Sequence, residues 1–202
     1  LGQPGEVFNY SDSGYILAGE ILENITDKSL PAAVRDLLDF EKLGIRNTWW
    51  EMLEAMPSGL ENRAHQYWGR LDTYEWNPSF DLYGGGGLAG PVNELGQFML
   101  KLFSGEVFKE TATLDVMISG SLPQEEKVVS DRQLRKRQGY GLGIRTVMSD
   151  ELLAYEHSGI WGTTAAYFPE LNVSIAVVAT QLESDTNEDI LQQAVSLLHQ
   201  ED

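Results

Sequence analysis

The chain is 202 residues long, room for one domain or two small lobes around shared cores, and its composition is that of an ordinary folded protein. Lys and Arg number 14 against 31 Asp and Glu, a formal net charge of −17 that argues against a nucleic-acid partner. The absence of cysteine excludes a disulfide scaffold, a thiol nucleophile and a thiolate metal site, and no apolar run approaches the roughly 20 residues of a membrane span.

Taken in chain order, Ser13 is placed to cap a helix that buries Ile16, Leu17, Ile21, Leu22 and Ile25. A second helix is expected from Ser29, with Pro31 in its first turn and Gly44 at or just past its end. Residues 46–83 hold Trp49, Trp50, Tyr67, Trp68, Tyr74, Trp76, Phe80 and Tyr83 with weak periodicity, and read as a long, mostly irregular excursion. Such an excursion either lines a site or covers a satellite core. Gly84–Gly87 lacks the Lys-Ser or Lys-Thr of a phosphate loop, so it reads as a tight turn or a close backbone approach. Pro91 then opens a helix with Val92, Leu95, Phe98, Met99, Leu102 and Phe103 at helical spacing, and a short helix is expected over Thr111–Met117.

Residues 119–138 read as a loop whose basic run, Arg132, Arg135, Lys136 and Arg137, is a solvated face. Four β-rich segments follow: Tyr140–Val147, Leu152–Ser158, Thr163–Phe168 and Val173–Gln181, the last two joined by a hairpin turn at Pro169–Asn172. An amphipathic helix closes the sequence, capped by Asp185 or Thr186, with Ile190, Leu191, Ala194, Val195 and Leu198 on its apolar stripe and His199 at its last turn. The order predicts an α+β fold: a mainly helical region with a long aromatic loop over 1–138, then antiparallel strands and a covering helix over 139–202, both parts of one domain.

Chemistry by residue type is sparse. The three histidines, His65, His157 and His199, fit no zinc pattern, and no metal or cofactor is expected. His157-Ser158-Gly159 ends a strand, and Gly159 lets a substrate approach the backbone. A direct Ser158–His157 couple is disfavoured because neighbouring strand side chains point to opposite faces, and no GxSxG elbow occurs.

The order of short motifs is more specific. Tyr10-Ser11-Asp12 with Leu17, Gly19 and Glu23 resembles the Tyr-x-Asn segment of the penicillin-recognising serine hydrolases: class C β-lactamases, D,D-carboxypeptidases and related esterases. Leu43-Gly44-Ile45-Arg46-Asn47-Thr48, Gly85-Gly86-Gly87-Leu88, Tyr140-Gly141-Leu142-Gly143, His157-Ser158-Gly159 and Pro169-Glu170 resemble later segments of that family, in its order and over nearly the whole chain. The resemblance implies the C-terminal part of a β-lactamase/transpeptidase-like fold. It also implies an acyl-enzyme made by the serine of a Ser-x-x-Lys motif. Tyr10 would carry protons, its pKa lowered by nearby cations such as the motif's Lys and His157. Ser158 would bind a substrate carboxylate or carbonyl, the N–H of Ile160 would form half of the oxyanion hole, and Trp161 would rim the acyl pocket.

Two departures stand out. Asp12 occupies the place of the family's Asn, and a carboxylate cannot donate to a substrate carbonyl. No Ser or Thr has a Lys three residues later, so the nucleophile is expected on a segment outside these residues and the isolated chain is expected to be inactive. The expected partners are a small-molecule or peptide substrate and that missing N-terminal segment or a complementing chain, since a sheet without its first strands exposes an edge. Expected substrates are β-lactams, D-Ala-D-Ala-type peptides or small esters; the competing reading is an inactive β-lactamase-like binding or assembly protein. By resemblance alone, export to the periplasm or cell exterior is expected.

Overall fold

The computed structural model describes residues 3, 6, 8–119, 135–149, 151–182 and 185–198. Helix α1 (Asp12–Thr26) starts after Ser11, with Ser13 already inside its first turn, and ends at Asp27 in the left-handed conformation. Its apolar stripe is not buried as expected: Leu17, Ile21 and Ile25 are 63, 58 and 76% exposed, and only Gly19 is buried. The helix docks by its smallest face instead. A Cβ on Gly19 would stand 2.7 Å from the Tyr83 ring, and one on Gly84 would stand 2.1 Å from the Tyr15 carbonyl oxygen. Nothing larger than glycine fits either contact.

Helix α2 (Leu30–Leu38) carries Pro31 in its first turn, and its Leu30 N–H donates to Glu23 Oε1 of α1 at 2.6 Å. Asp39, at φ 51°, ends it; Gly44, expected at that end, closes the next turn at φ 73°. Phe40, Leu43, Ile45, Trp50, Leu102 and Val107 form the core beneath. The aromatic excursion is irregular as expected, broken by the two-residue strands β1 (Trp49–Trp50), β2 (Tyr67–Trp68) and β3 (Leu71–Asp72) and a 3-10 turn at Pro78–Phe80. Strand β4 (Leu88–Ala89) pairs with β1. Trp49 and Trp50 are core residues, whereas Trp68 and Trp76 are exposed and meet edge to face, centroids 6.2 Å apart.

Helix α3 (Val92–Phe103) follows Pro91 and fastens the excursion to the rest of the chain. The buried carboxylate of Glu94 accepts from the N–H groups of Arg46 and Asn47, from Asn47 Nδ2 and from Thr48 Oγ1. A short helix, α4 (Thr111–Ser119), precedes the sheet.

That sheet is an antiparallel meander of β5 (Arg135–Tyr140), β6 (Arg145–Ser149), β7 (Leu152–Gly159), β8 (Thr163–Phe168) and β9 (Val173–Val178). Three of the expected strand bounds need correction. Residues 135–138, read as loop, belong to β5, and the expected strand Tyr140–Val147 is broken by a turn. Gly143 at φ 76° makes that turn, and Gly141 donates to the Ile144 carbonyl across it. Arg132 lies outside the described residues. The last expected strand also stops early, at Val178; Gln181–Leu182 forms β10, which runs parallel to β2. The Pro169–Asn172 turn is present, with Asn172 in the left-handed conformation.

The sheet is covered on both faces. Ala165 and Tyr167 of β8 pack with Met99 and Ile144 on the α3 side. Their neighbours Ala166 and Phe168 pack with Leu191 and Val195 of α5 (Thr186–Leu198) on the other. With both faces covered, β8 is buried along almost its whole length, Thr164 included. On α5 the expected stripe holds for Leu191 and Val195, while Ile190 is 45% exposed; His199 lies outside the described residues. The architecture is α+β, with the sheet between α3 and α5.

Candidate active site

The end of β7 and the approach to α1 meet at one end of the sheet. Tyr10 and His157, 147 residues apart in the chain (157 − 10), have ring centroids 6.2 Å apart. Tyr140, at the end of β5, touches both: its hydroxyl is 2.8 Å from His157 Nε2, and its ring meets Tyr10 edge-on at 5.8 Å. His157 Nδ1 is 2.9 Å from the Ser158 carbonyl, which can only accept, so Nδ1 carries a proton. In the neutral ring, Nε2 is then the acceptor for Tyr140 O–H. Phe8, Asn9, Tyr10, Ser11, Tyr15, Tyr140 and Gly141 enclose a cleft of about 190 Å³ here.

Alternation along β7 sends Ser158 to the opposite face from His157. There Arg145 of β6 donates from Nη1 to Ser158 Oγ at 2.8 Å. Ser158, Gly159 and Ile160 line a second cleft on this side, together with Gly162, Gln181, Asp185, Asn187 and Glu188. Ile160 is half exposed and Trp161 partly buried. The seven expected site residues therefore divide, Asp12 standing by the glycine turn. Tyr10 lines the first cleft, its ring 6.2 Å from that of His157; Ser158, Gly159 and Ile160 line the second; and Trp161 follows in the turn after β7.

Asp12, at the start of α1, faces the glycine turn: a Cβ on Gly85 would stand 3.3 Å from Asp12 Cβ, and one on Gly86 would stand 2.5 Å from Asp81 Oδ1. The two carboxylates thus flank Gly85–Gly86. Their effect opposes the expectation of a lowered phenol pKa. Burial and the negative charge of Asp12 push Tyr10 above its ordinary value, Arg145 pulls it back, and Asp81 adds to the rise. Burial likewise raises Asp81, with Asp12 adding to it. Tyr140 is raised further still, first by burial and then by Tyr15 and Tyr10, against the pull of Arg145.

Tyr140 and Arg145 were not singled out from the sequence. The Tyr140-Gly141-Leu142-Gly143 motif marks the strand end but not what its phenol touches. Arg145 looks like any strand cation until the register sets it across from Glu156, one side-chain repeat from Ser158. His65, left without a role, stacks on Tyr74 and pairs with Asp72 at 2.7 Å in the β2–β3 hairpin.

A helix-flanked antiparallel meander with these groups at its end defines a β-lactamase-like α+β protein. The chain belongs to the Beta-lactamase family, whose model matches residues 1–199. Among solved structures it is similar to the D-amino acid amidase of Ochrobactrum anthropi SV3 in complex with D-phenylalanine (19% identity, TM-score 0.82, covering all of this chain and 61% of that one). It is also similar to a penicillin-binding protein from Bacillus halodurans (19%, 0.72, covering 96% and 57%). A third similar structure is the octameric penicillin-binding protein homologue from Pyrococcus abyssi (22%, 0.71, covering 98% and 44%). The chain thus spans about three fifths of the length of the amidase it matches. No curated protein matches it in sequence. Among the described residues, no helix is long and apolar enough to cross a membrane, and no group of three or more His, Cys, Asp or Glu side chains is placed to hold a metal ion.

Proposed function

We propose that this chain is part of a serine hydrolase that opens β-lactams, D-Ala-D-Ala-type peptides, amino acid amides or small esters through an acyl-enzyme. The observation that carries the reading is the meeting of the Tyr10 and His157 rings. The nucleophile belongs to a Ser-x-x-Lys segment on the same polypeptide or a second chain, because these 202 residues contain none. In this scheme the serine hydroxyl gives its proton toward Tyr10 as its oxygen bonds the acyl carbon, and the departing group takes that proton. Water then repeats the sequence to release the acid. The Ile160 N–H serves the acyl oxygen. Tyr10 needs a cation to become basic, and the raised phenol in this chain makes the motif's Lys the required one.

Two surfaces support a complementing segment. The Leu17–Ile21–Ile25 stripe of α1 is exposed, and the outer edge of β9 pairs with no strand among the described residues. A second reading, a non-catalytic binding protein, is favoured by the surroundings of Tyr10, where burial and then Asp12 and Asp81 raise the phenol pKa.

The test is labelling with a fluorophosphonate, followed by turnover of nitrocefin, a nitrophenyl butyrate and a D-amino acid amide. The 202 residues alone should give no adduct. Adding the Ser-x-x-Lys segment should give one adduct per chain and turnover of one of the three substrates. Failure of the complemented protein on every probe would leave the binding-protein reading.

A further inference from the structure

The second cleft, of about 380 Å³, opens between the end of β7 and the start of α5. Asn187, which is 5% exposed, is among its lining residues. The Asn187 Nδ2 donates to Thr164 Oγ1 at 2.6 Å, while the Oδ1 of this cleft-lining residue is buried with no hydrogen-bond partner. An unmet acceptor of this kind costs about 1–3 kcal/mol unless a ligand or water supplies a donor. Around it stand Asp185, exposed, and Glu188, half-buried, and no Lys, Arg or His is among the described lining residues. Arg145 reaches Ser158 from the sheet but does not line the cleft.

The sign of the ligand follows from these groups. The start of α5 would by itself favour an anion, but Glu188 and Asp189 in its first turn offset the dipole. If the amide were turned over, Nδ2 would face the cleft as a donor, yet the two carboxylates would still repel an anion. A group with several N–H donors and a positive charge satisfies Oδ1 and both carboxylates at once.

We propose that this cleft binds a primary ammonium group, carried by the portion of the substrate that lies past Gly159. The identity of the carrier as substrate rests on the hydrolase reading; the binding itself does not.

The test is an amide-proton NMR titration of the protein with butylammonium, butyrate and butanol, run apart from any activity assay. Butylammonium should shift the Asn187 side-chain amide and the backbone of Ile160, Gly162 and the first turn of α5, with affinity about tenfold above butyrate or butanol, the worth of one charge-assisted contact. Asp185→Asn with Glu188→Gln should remove that preference, and Glu188→Lys should turn it toward butyrate. These exposed and half-buried positions leave the Asn187–Thr164 bond intact, and an unchanged spectrum elsewhere reports the fold. A preference for butyrate in the unsubstituted protein, equal response to all three probes, or shifts confined to other surfaces would each overturn the proposal. Hydrolysis without ammonium binding would sink this inference and spare the hydrolase reading; ammonium binding in an inactive complemented protein would do the reverse.

Discussion

At the scale of single residues the site is governed by charge around Tyr10. Burial raises its pKa, and Asp12 is the largest charge acting in the same direction. Asp12→Asn is therefore expected to lower the Tyr10 pKa, and Asp81→Asn to lower it less, as followed by ring resonances through an alkaline titration. Arg145→Gln should move it the other way, since Arg145 is the cation that pulls it down. An unmoved Tyr10 in Asp12→Asn would mean that the two groups do not feel each other. Tyr140→Phe removes the partly buried contact to His157 Nε2 and should cost about 1 kcal/mol in urea unfolding, an average hydrogen bond.

At the scale of elements, two contacts hold the site's approaches. Glu94 is 4% exposed and collects donors from Arg46, Asn47 and Thr48. Glu94→Ala strands those donors in the interior and should cost about 3–5 kcal/mol, a large part of a typical domain's stability; Glu94→Gln, which keeps one carbonyl acceptor, should cost less. Chemical denaturation of the two variants decides it. The second contact is Tyr83 against Gly19. Burial, with Glu23 beside it, pushes the Tyr83 phenol up to about 12. The folded state thus holds its proton more tightly than the unfolded chain does. That share of stability is whole below pH 10 and is lost as pH rises from about 10 toward 12. Tyr83→Phe should flatten the fall of melting temperature across that window.

The same elements show what a one-dimensional reading can reach. Strands β7 to β9 and the Pro169–Asn172 turn were legible because β-branched runs and turn chemistry are local signals. The burial of α1 was misjudged for a physical reason. Apolar spacing states which face a helix offers, not which neighbour takes it, and here the contact is made by Gly19 and the Tyr15 backbone. The contacts of Tyr140 and Arg145 depend on register across a glycine turn, and the unmet Oδ1 of Asn187 depends on three separate segments converging. No local pattern encodes either. The Tyr10 and His157 positions were legible only through motif order, because nothing in their spacing brings them together.

At the scale of the molecule, a charge of −17 and an uncovered apolar stripe act against each other. Like charge keeps copies apart at low ionic strength, where the Debye length is long. Added salt screens that repulsion and strengthens apolar association, so the 202-residue chain should self-associate increasingly as salt is raised, read by sedimentation equilibrium. The stripe, rather than the acidic surface, should mediate it. Ile21→Lys with Ile25→Lys should keep the chain monomeric at every salt concentration, and each change should alter folding stability by no more than about 0.5 kcal/mol because both side chains are exposed. The same pair should weaken recovery of fluorophosphonate labelling by the Ser-x-x-Lys segment, since one face cannot serve two partners at once. A chain that stays monomeric in high salt without these substitutions, or a double variant that complements as well as the parent, would show that the stripe is ordinary surface.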